Sequence, residues 1–155
     1  MDEPARKKLE PATVVCRQHQ GSYDEIGKVY HELYDWARAH DVKTAGDGFT
    51  VFLSPPSELD WHSALFEVCV PVEDAPGGLT DVSVKEIPGC EVASAVVKGP
   101  YSEIPAHYTE MLAWLSAMGL AVTGPPREVY LKRPRADGGG DPEEFLTEIQ
   151  FPVGD

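Results

Sequence analysis

The chain has 155 residues, 42% of them hydrophobic and 25% charged, the proportions of a globular protein with room for a core and not of a disordered chain. Against 13 basic residues stand 26 acidic ones, a formal net charge of −13. That balance argues against unaided nucleic-acid binding and against an anionic membrane surface, both of which draw on Lys and Arg, and its field favours cationic partners.

Residues 1–10 read as an N-terminal tail: the basic cluster Arg6-Lys7-Lys8 has no apolar stretch behind it, so no signal peptide is expected. Residues 12–19, rich in β-branched side chains, predict a strand. Ser22 followed by Glu25 is a capping-box pattern and sets a helix start at Ser22. Ile26, Val29, Tyr30, Leu33, Tyr34 and Ala37 continue it at helical spacing, to an end near His40-Asp41. Residues 50–53 and 64–70 predict two strands split by the turn-forming Ser54-Pro55-Pro56-Ser57. Residues 73–81 read as a linker, and residues 82–87 and 91–97 as a hairpin through Pro88-Gly89. A second helix takes Pro105 in its first turn, carries an apolar face of Ile104, Tyr108, Met111, Leu112 and Leu115, and ends at Gly119. Residues 129–131 and 145–151 predict the closing strands, with a loop at 135–143 between them. No apolar run reaches the roughly 18 residues of a membrane helix, and a cytoplasmic location is expected.

The chain repeats itself. Gln20-Gly21-Ser22-Tyr23 matches Lys98-Gly99-Pro100-Tyr101 at an offset of 78. The same offset pairs Ile26 with Ile104, Tyr30 with Tyr108, Trp36 with Trp114 and Phe52 with Tyr130. Later it becomes 81, where Glu67-Val68-Cys69-Val70-Pro71-Val72 lies against Glu148-Ile149-Gln150-Phe151-Pro152-Val153. One register held through Gly, Tyr, Ile and Trp reads as an internal duplication, residues 11–72 and 82–153, each copy a strand-helix-strand-strand unit.

Glu67 and Glu148 are the most informative acids, because each sits inside an apolar strand. Two settings fit: the polar side of a half-exposed sheet, or an apolar cleft in which a cationic ligand offsets the cost of a buried carboxylate. Their recurrence in both copies favours the cleft. Tyr30, Phe52, Trp61, Tyr108, Trp114 and Tyr130 recur at helix and strand positions; core packing accounts for most such rings, but several beside carboxylates make a site for flat or cationic molecules. His31-Glu32-Leu33-Tyr34-Asp35 is not the HExxH of zinc proteases, and His19, His31, His40, His62 and His107 have no ligand spacing. No metal and no cofactor is expected. Gly138-Gly139-Gly140 stands apart from any strand–helix turn, no GxSxG frames a nucleophile, and Cys16, Cys69 and Cys90 read as reduced core thiols outside any CxxC.

Lys98-Gly99-Pro100-Tyr101-Ser102-Glu103-Ile104-Pro105, Trp114, the run from Gly124 to Leu131 and the run from Leu146 to Val153 strongly resemble GyrI-like small-molecule-binding proteins. These include the effector-binding domain attached to multidrug-sensing transcription regulators. The resemblance covers residues 11–153, closest in the second copy. It implies an α+β fold with pseudo-twofold symmetry, an antiparallel sheet and two helices flanking a central ligand cleft. It further implies that hydrophobic cations bind there against aromatic rings and a buried glutamate on the last strand, carried over to Glu148 with Glu67 as its mate. Tyr130 and Trp114 are the leading aromatic positions, with Tyr108, Tyr30, Trp61 and Phe52 behind them.

With no helix-turn-helix and no room for one before Pro11, the chain reads as a stand-alone binding domain. Its expected partner is a hydrophobic, cationic or planar small molecule, sequestered or sensed, with no direct nucleic acid and no membrane, in a monomer or homodimer. The alternative implied by relatives is hydrolysis of cyclopropane-bearing alkylating compounds, with Glu148 or Glu67 activating water and Tyr130 or Tyr108 orienting the electrophile. A weaker alternative is DNA gyrase inhibition.

Overall fold

In the computed structural model, residues 3–22, 25–53, 63–74, 82–132 and 140–154 are described. The elements in chain order are β1 (Ala5–Leu9), β2 (Ala12–Gly21), α1 (Ile26–Ala39), β3 (Phe49–Phe52), β4 (Ala64–Pro71), β5 (Ser83–Ile87), β6 (Cys90–Lys98), α2 (Ile104–Ala117), β7 (Ala121–Val122), β8 (Arg127–Lys132) and β9 (Leu146–Gly154). They gather into two compact units, Glu10–Gly89 and Met1–Leu9 with Cys90–Asp155. Each is antiparallel sheet plus one α-helix, so the α+β class read from the sequence holds.

In the unit Glu10–Gly89 the strands run β3-β4-β2-β5. Alternation divides them into two faces. Val15, Phe52, Phe66, Val68 and Val70 are buried on one, and Ile26, Val29, Tyr30, Leu33, Trp36 and Ala37 form the buried stripe of α1. The ion pair from Arg17 Nη1 to Glu32 Oε2, 2.8 Å, places that face on the helix side. The register Cys16↔Cys69 and Gln18↔Glu67 then puts Cys16, Glu67 and Cys69 together on the other face. The second unit orders its strands β1-β6-β9-β8, with β7 also on β9, and buries Ile104, Tyr108, Met111 and Leu115 of α2.

Both helices end in the same way. The N–H of Asp41 reaches Arg38 O and that of Val42 reaches Ala37 O; the N–H of Gly119 reaches Ser116 O and that of Leu120 reaches Leu115 O. This is the Schellman arrangement, which needs a left-handed residue after the helix. Gly119 supplies it at φ 70, and Asp41 at φ 53. At the start of α1, Glu25 Oε2 accepts from the Ser22 N–H at 2.6 Å, one half of the predicted capping box. Regular helix begins at Ile26, later than the Ser22 start read from the sequence.

Two expectations are corrected. Residues 1–10 are not simply a tail, because β1 pairs with β6 from Ala5↔Ser94 to Leu9↔Cys90. Its residues Ala5, Arg6, Lys7 and Lys8 are exposed, so this edge strand carries no alternation to read. Nor do β5 and β6 form a hairpin: β5 pairs with β2, whereas β6 is flanked by β1 and β9. Pro88-Gly89 joins the two units, which divide between Gly89 and Cys90. The expected turn at Ser54-Pro55-Pro56-Ser57, most of the expected linker, 75–81, and most of the expected loop, 135–139, lie outside the described residues. Among the described residues no helix is long and apolar enough to cross a membrane.

Gly48 is required by packing. A Cβ built there would fall on the hydroxyl of buried Tyr30, so Gly48→Ala is expected to destabilise by about 1–3 kcal/mol, the usual cost of overpacking. Adding Tyr30→Phe should recover part of that loss in a denaturant titration; a double variant no more stable than the sum of the single changes predicts would sink this account.

Candidate functional site

Among the described residues, the most strongly buried acid of the second unit is Glu128 on β8, with no exposed surface. Its register neighbour is Ile149, and that of Tyr130 is Thr147, while Val129 faces Glu148. Glu128 and Tyr130 therefore share one face of the sheet, and Glu148 lies on the other. The Tyr108 hydroxyl of α2 donates to Glu128 Oε2 at 2.7 Å, and the Tyr130 hydroxyl approaches Oε1 at 3.5 Å. Burial, reinforced by the Glu128 carboxylate, holds the Tyr108 phenol well above its ordinary pKa, so it remains a hydrogen-bond donor at neutral pH.

Further rings pack against the two tyrosines. Tyr108 meets Phe151 edge-on at 5.7 Å between centroids. Tyr101, half-buried on the 3-10 turn Tyr101–Glu103, meets Tyr130 edge-on at 5.9 Å and stacks on Phe145 at 5.2 Å. Gly99 precedes that turn at φ 131, a backbone state side chains resist. A buried carboxylate fed by phenol donors, with further rings packed against those phenols, can attract a cation and can exchange a proton.

Glu148 is placed differently from the expectation of one site with Tyr130. Its Oε1 accepts from Lys7 Nζ at 2.7 Å and its Oε2 from Gln150 Nε2 at 3.0 Å. In the other unit, Glu67 takes Lys85 Nζ on both oxygens, at 2.8 and 2.7 Å. Both glutamates are buried and neither faces bulk water, but the cation offsetting each burial belongs to the protein itself. Glu67 raises the Lys85 pKa above its ordinary 10.5. On the alkaline side that pair's stabilisation therefore holds up to pH 10.5 and is lost as the pH rises through the elevated value.

Of the eight residues expected at the site, Tyr108 and Tyr130 converge. Trp114 is half-buried on α2. Tyr30, on α1 of the other unit, packs against Tyr34 at 5.3 Å, and Phe52 against Phe66 at 6.4 Å. Trp61 lies outside the described residues. Glu128 was missed; the signal that reveals it is Tyr130, two residues along the same strand face.

Cys16 and Cys69 are fully buried, and Cys90 is half-buried with its sulfur 3.9 Å from Arg127 Nη2. Contact with the Cys16 thiol, then burial, pushes the Cys69 thiol far above its ordinary pKa. In the native protein a thiol reagent should therefore label Cys90 first and reach Cys16 and Cys69 only on unfolding; rapid native labelling of Cys69, read by peptide mass, would contradict this.

A chain of two sheet-and-helix units, one with a buried carboxylate held by tyrosine hydroxyls, has the build of a small-molecule-binding domain. The GyrI-like small molecule binding domain matches residues 2–154, and the chain belongs to that family. No curated protein matches it in sequence. Its fold is similar to the C-terminal domain of EcmrR, with a TM-score of 0.85 at 22% identity, covering 99% of this chain and 98% of that one. In the EcmrR–DNA complex the TM-score is 0.88 at 22% identity, with 99% of this chain covered but 57% of EcmrR, so the chain spans just over half of that regulator. A hydrolase encoded by lin2189 from Listeria innocua is similar at a TM-score of 0.68 and 16% identity, covering 98% of this chain and 92% of that one. SAV2435, in a structure bound to tetraphenylphosphonium, is similar at 0.63 and 14% identity, covering 99% and 94%.

Proposed function

We propose that this chain binds a hydrophobic organic cation, with Glu128 as the charge-recognising group and Tyr101, Tyr108, Tyr130 and Phe145 as its aromatic surroundings. The observation that carries the reading is Glu128 itself: a carboxylate with no exposed surface, held by two tyrosine hydroxyls at 2.7 and 3.5 Å. A cation reaching it gains charge attraction in a dry setting and ring faces at the same time. Tyr101, the half-buried member, is the ring that moves aside to admit it. The tetraphenylphosphonium seen with SAV2435 supports the ligand class. An internal duplication extending to β1 and β5 belongs to the same reading, supported by Lys7 and Lys85, which stand at the offset of 78 and each hold a buried glutamate.

The test is a tryptophan-fluorescence titration with tetraphenylphosphonium and with neutral triphenylphosphine oxide. Saturable binding of the cation, at least about tenfold tighter than the neutral compound, is expected, a difference of about 1.4 kcal/mol. Equal affinities would remove Glu128 from the account.

A second reading is turnover. The protonated Tyr108 phenol against the Glu128 carboxylate is an acid–base pair, able to protonate a leaving group while the carboxylate activates water, and the Listeria hydrolase supports it. Incubation with a cyclopropane-bearing alkylator, followed by mass spectrometry, decides: ring-opened product above the buffer rate, lost in Tyr108→Phe, is the outcome this reading requires.

A further inference from the structure

The unit Glu10–Gly89 holds a second cluster of chemically active groups. Cys16 and Cys69 face each other directly across β2 and β4, and Glu67 lies two residues along β4 on the same face. One ligand atom from each, the two sulfurs and a carboxylate oxygen, lie within 4.8 Å of one another. Cys69 Sγ is 3.9 Å from Glu67 Oε1. Both cysteines have no exposed surface and Glu67 has 6%. Lys85 covers the carboxylate from the solvent side, with 44% of its own side chain exposed.

We infer that Cys16, Cys69 and Glu67 form a binding site for a divalent zinc-class metal ion, with Lys85 as the cation that yields to it. A tetrahedral zinc with sulfur at about 2.3 Å and oxygen at about 2.0–2.2 Å needs ligand atoms about 3.5–3.8 Å apart. The observed separations close to that by rotamer adjustment of about 1 Å, without moving a strand. Two thiolates select a borderline-soft ion over magnesium or calcium, and three protein ligands leave the fourth position to water.

Charge fits a divalent ion. Without metal, the Glu67 carboxylate and the Lys85 ammonium cancel, and both thiols are neutral. On binding, Cys16–SH and Cys69–SH each lose a proton to solvent, two metal–sulfur bonds and one bond to Glu67 Oε1 form, and Lys85 gives up Oε1 while keeping its contact with Oε2. The ion, two thiolates, the carboxylate and the ammonium again sum to zero. A monovalent ion would leave one negative charge in a buried setting.

The test uses the full chain, reduced and freed of metal with a chelator, then titrated anaerobically with cobalt(II) and zinc. The expected result is one cobalt per chain with a thiolate-to-metal charge-transfer band, displaced by zinc, two protons released per ion, and no change in Cys90 labelling. Cys16→Ser should abolish the band, Cys90→Ser should leave it intact, and Glu67→Gln should weaken cobalt binding at least about tenfold. The wild-type titration stands without the variants: no charge-transfer band at millimolar cobalt in the folded protein overturns the inference. So does a band that survives Cys16→Ser and disappears with Cys90→Ser.

Discussion

Glu128→Gln is expected to weaken tetraphenylphosphonium binding by about 30-fold or more while leaving the protein folded. The amide keeps the shape of the carboxylate, and its oxygen still accepts from the Tyr108 hydroxyl, now at 2.7 Å from Oε2. What is lost is the negative charge. Removing one member of a desolvated charge pair costs about 2–5 kcal/mol, which is the stated factor or larger. Tyr108→Phe should act differently. It leaves the charge but removes the shorter of the two phenol contacts, so stability falls by about 1–3 kcal/mol as a buried acceptor loses a donor. Tyr130→Phe, whose hydroxyl stands at 3.5 Å, should cost less. Isothermal titration with the cation, beside chemical denaturation, separates these cases. Undiminished affinity in a folded Glu128→Gln protein would move the ligand elsewhere.

Phe66→Ala is expected to be the most damaging single truncation in the unit Glu10–Gly89. Phe66 has no exposed surface, and its register neighbours are His19 on β2 and Phe52 on β3. Its ring lies 5.4 Å from that of His19 and 6.4 Å from that of Phe52. Two packed strands cannot collapse into the space, so the loss combines transfer and cavity terms, about 3–5 kcal/mol. At about 2–4 °C per kcal/mol for a chain of this size, Tm should fall by roughly 6–20 °C. Leu65→Ala, the next residue and 37% exposed on the opposite face, should cost under about 1 kcal/mol. Similar Tm values for the two variants would refute the assignment of faces.

Most strands were legible from their composition, and both helices from their spacing. β2 and β4 are rich in β-branched and aromatic residues between turn-forming stretches, and the stripe from Ile26 to Ala37 recurs at helical spacing. β1 was not legible, since its exposed basic residues resemble a charged terminus. β8 misleads for the opposite reason. In Arg127-Glu128-Val129-Tyr130-Leu131 the aliphatic residues suggest the core side, yet Glu128 and Tyr130 are buried and Leu131 is 40% exposed. The phase is inverted because Tyr108 satisfies the carboxylate from α2, a contact that no spacing along one strand encodes. Cys16 and Cys69 are likewise brought together by strand register, while a search for metal-ligand spacing looks along the chain.

The unit Met1–Leu9 with Cys90–Asp155 is assembled from two distant stretches of sequence. Leu9 pairs with Cys90, so a whole second unit lies between the first strand and its neighbour. During synthesis β1 leaves the ribosome early and waits while residues 10–89 emerge, a contiguous stretch that can fold first. Its folding draws Leu9 and Cys90 into reach and shortens the loop that β1 must close. Lys7 travels on that waiting strand, so Glu148 gains its ammonium only once β1 has paired with β6. Proteolytic trimming of the first nine residues would spare every predicted helix, yet strand a buried carboxylate at the end of the chain.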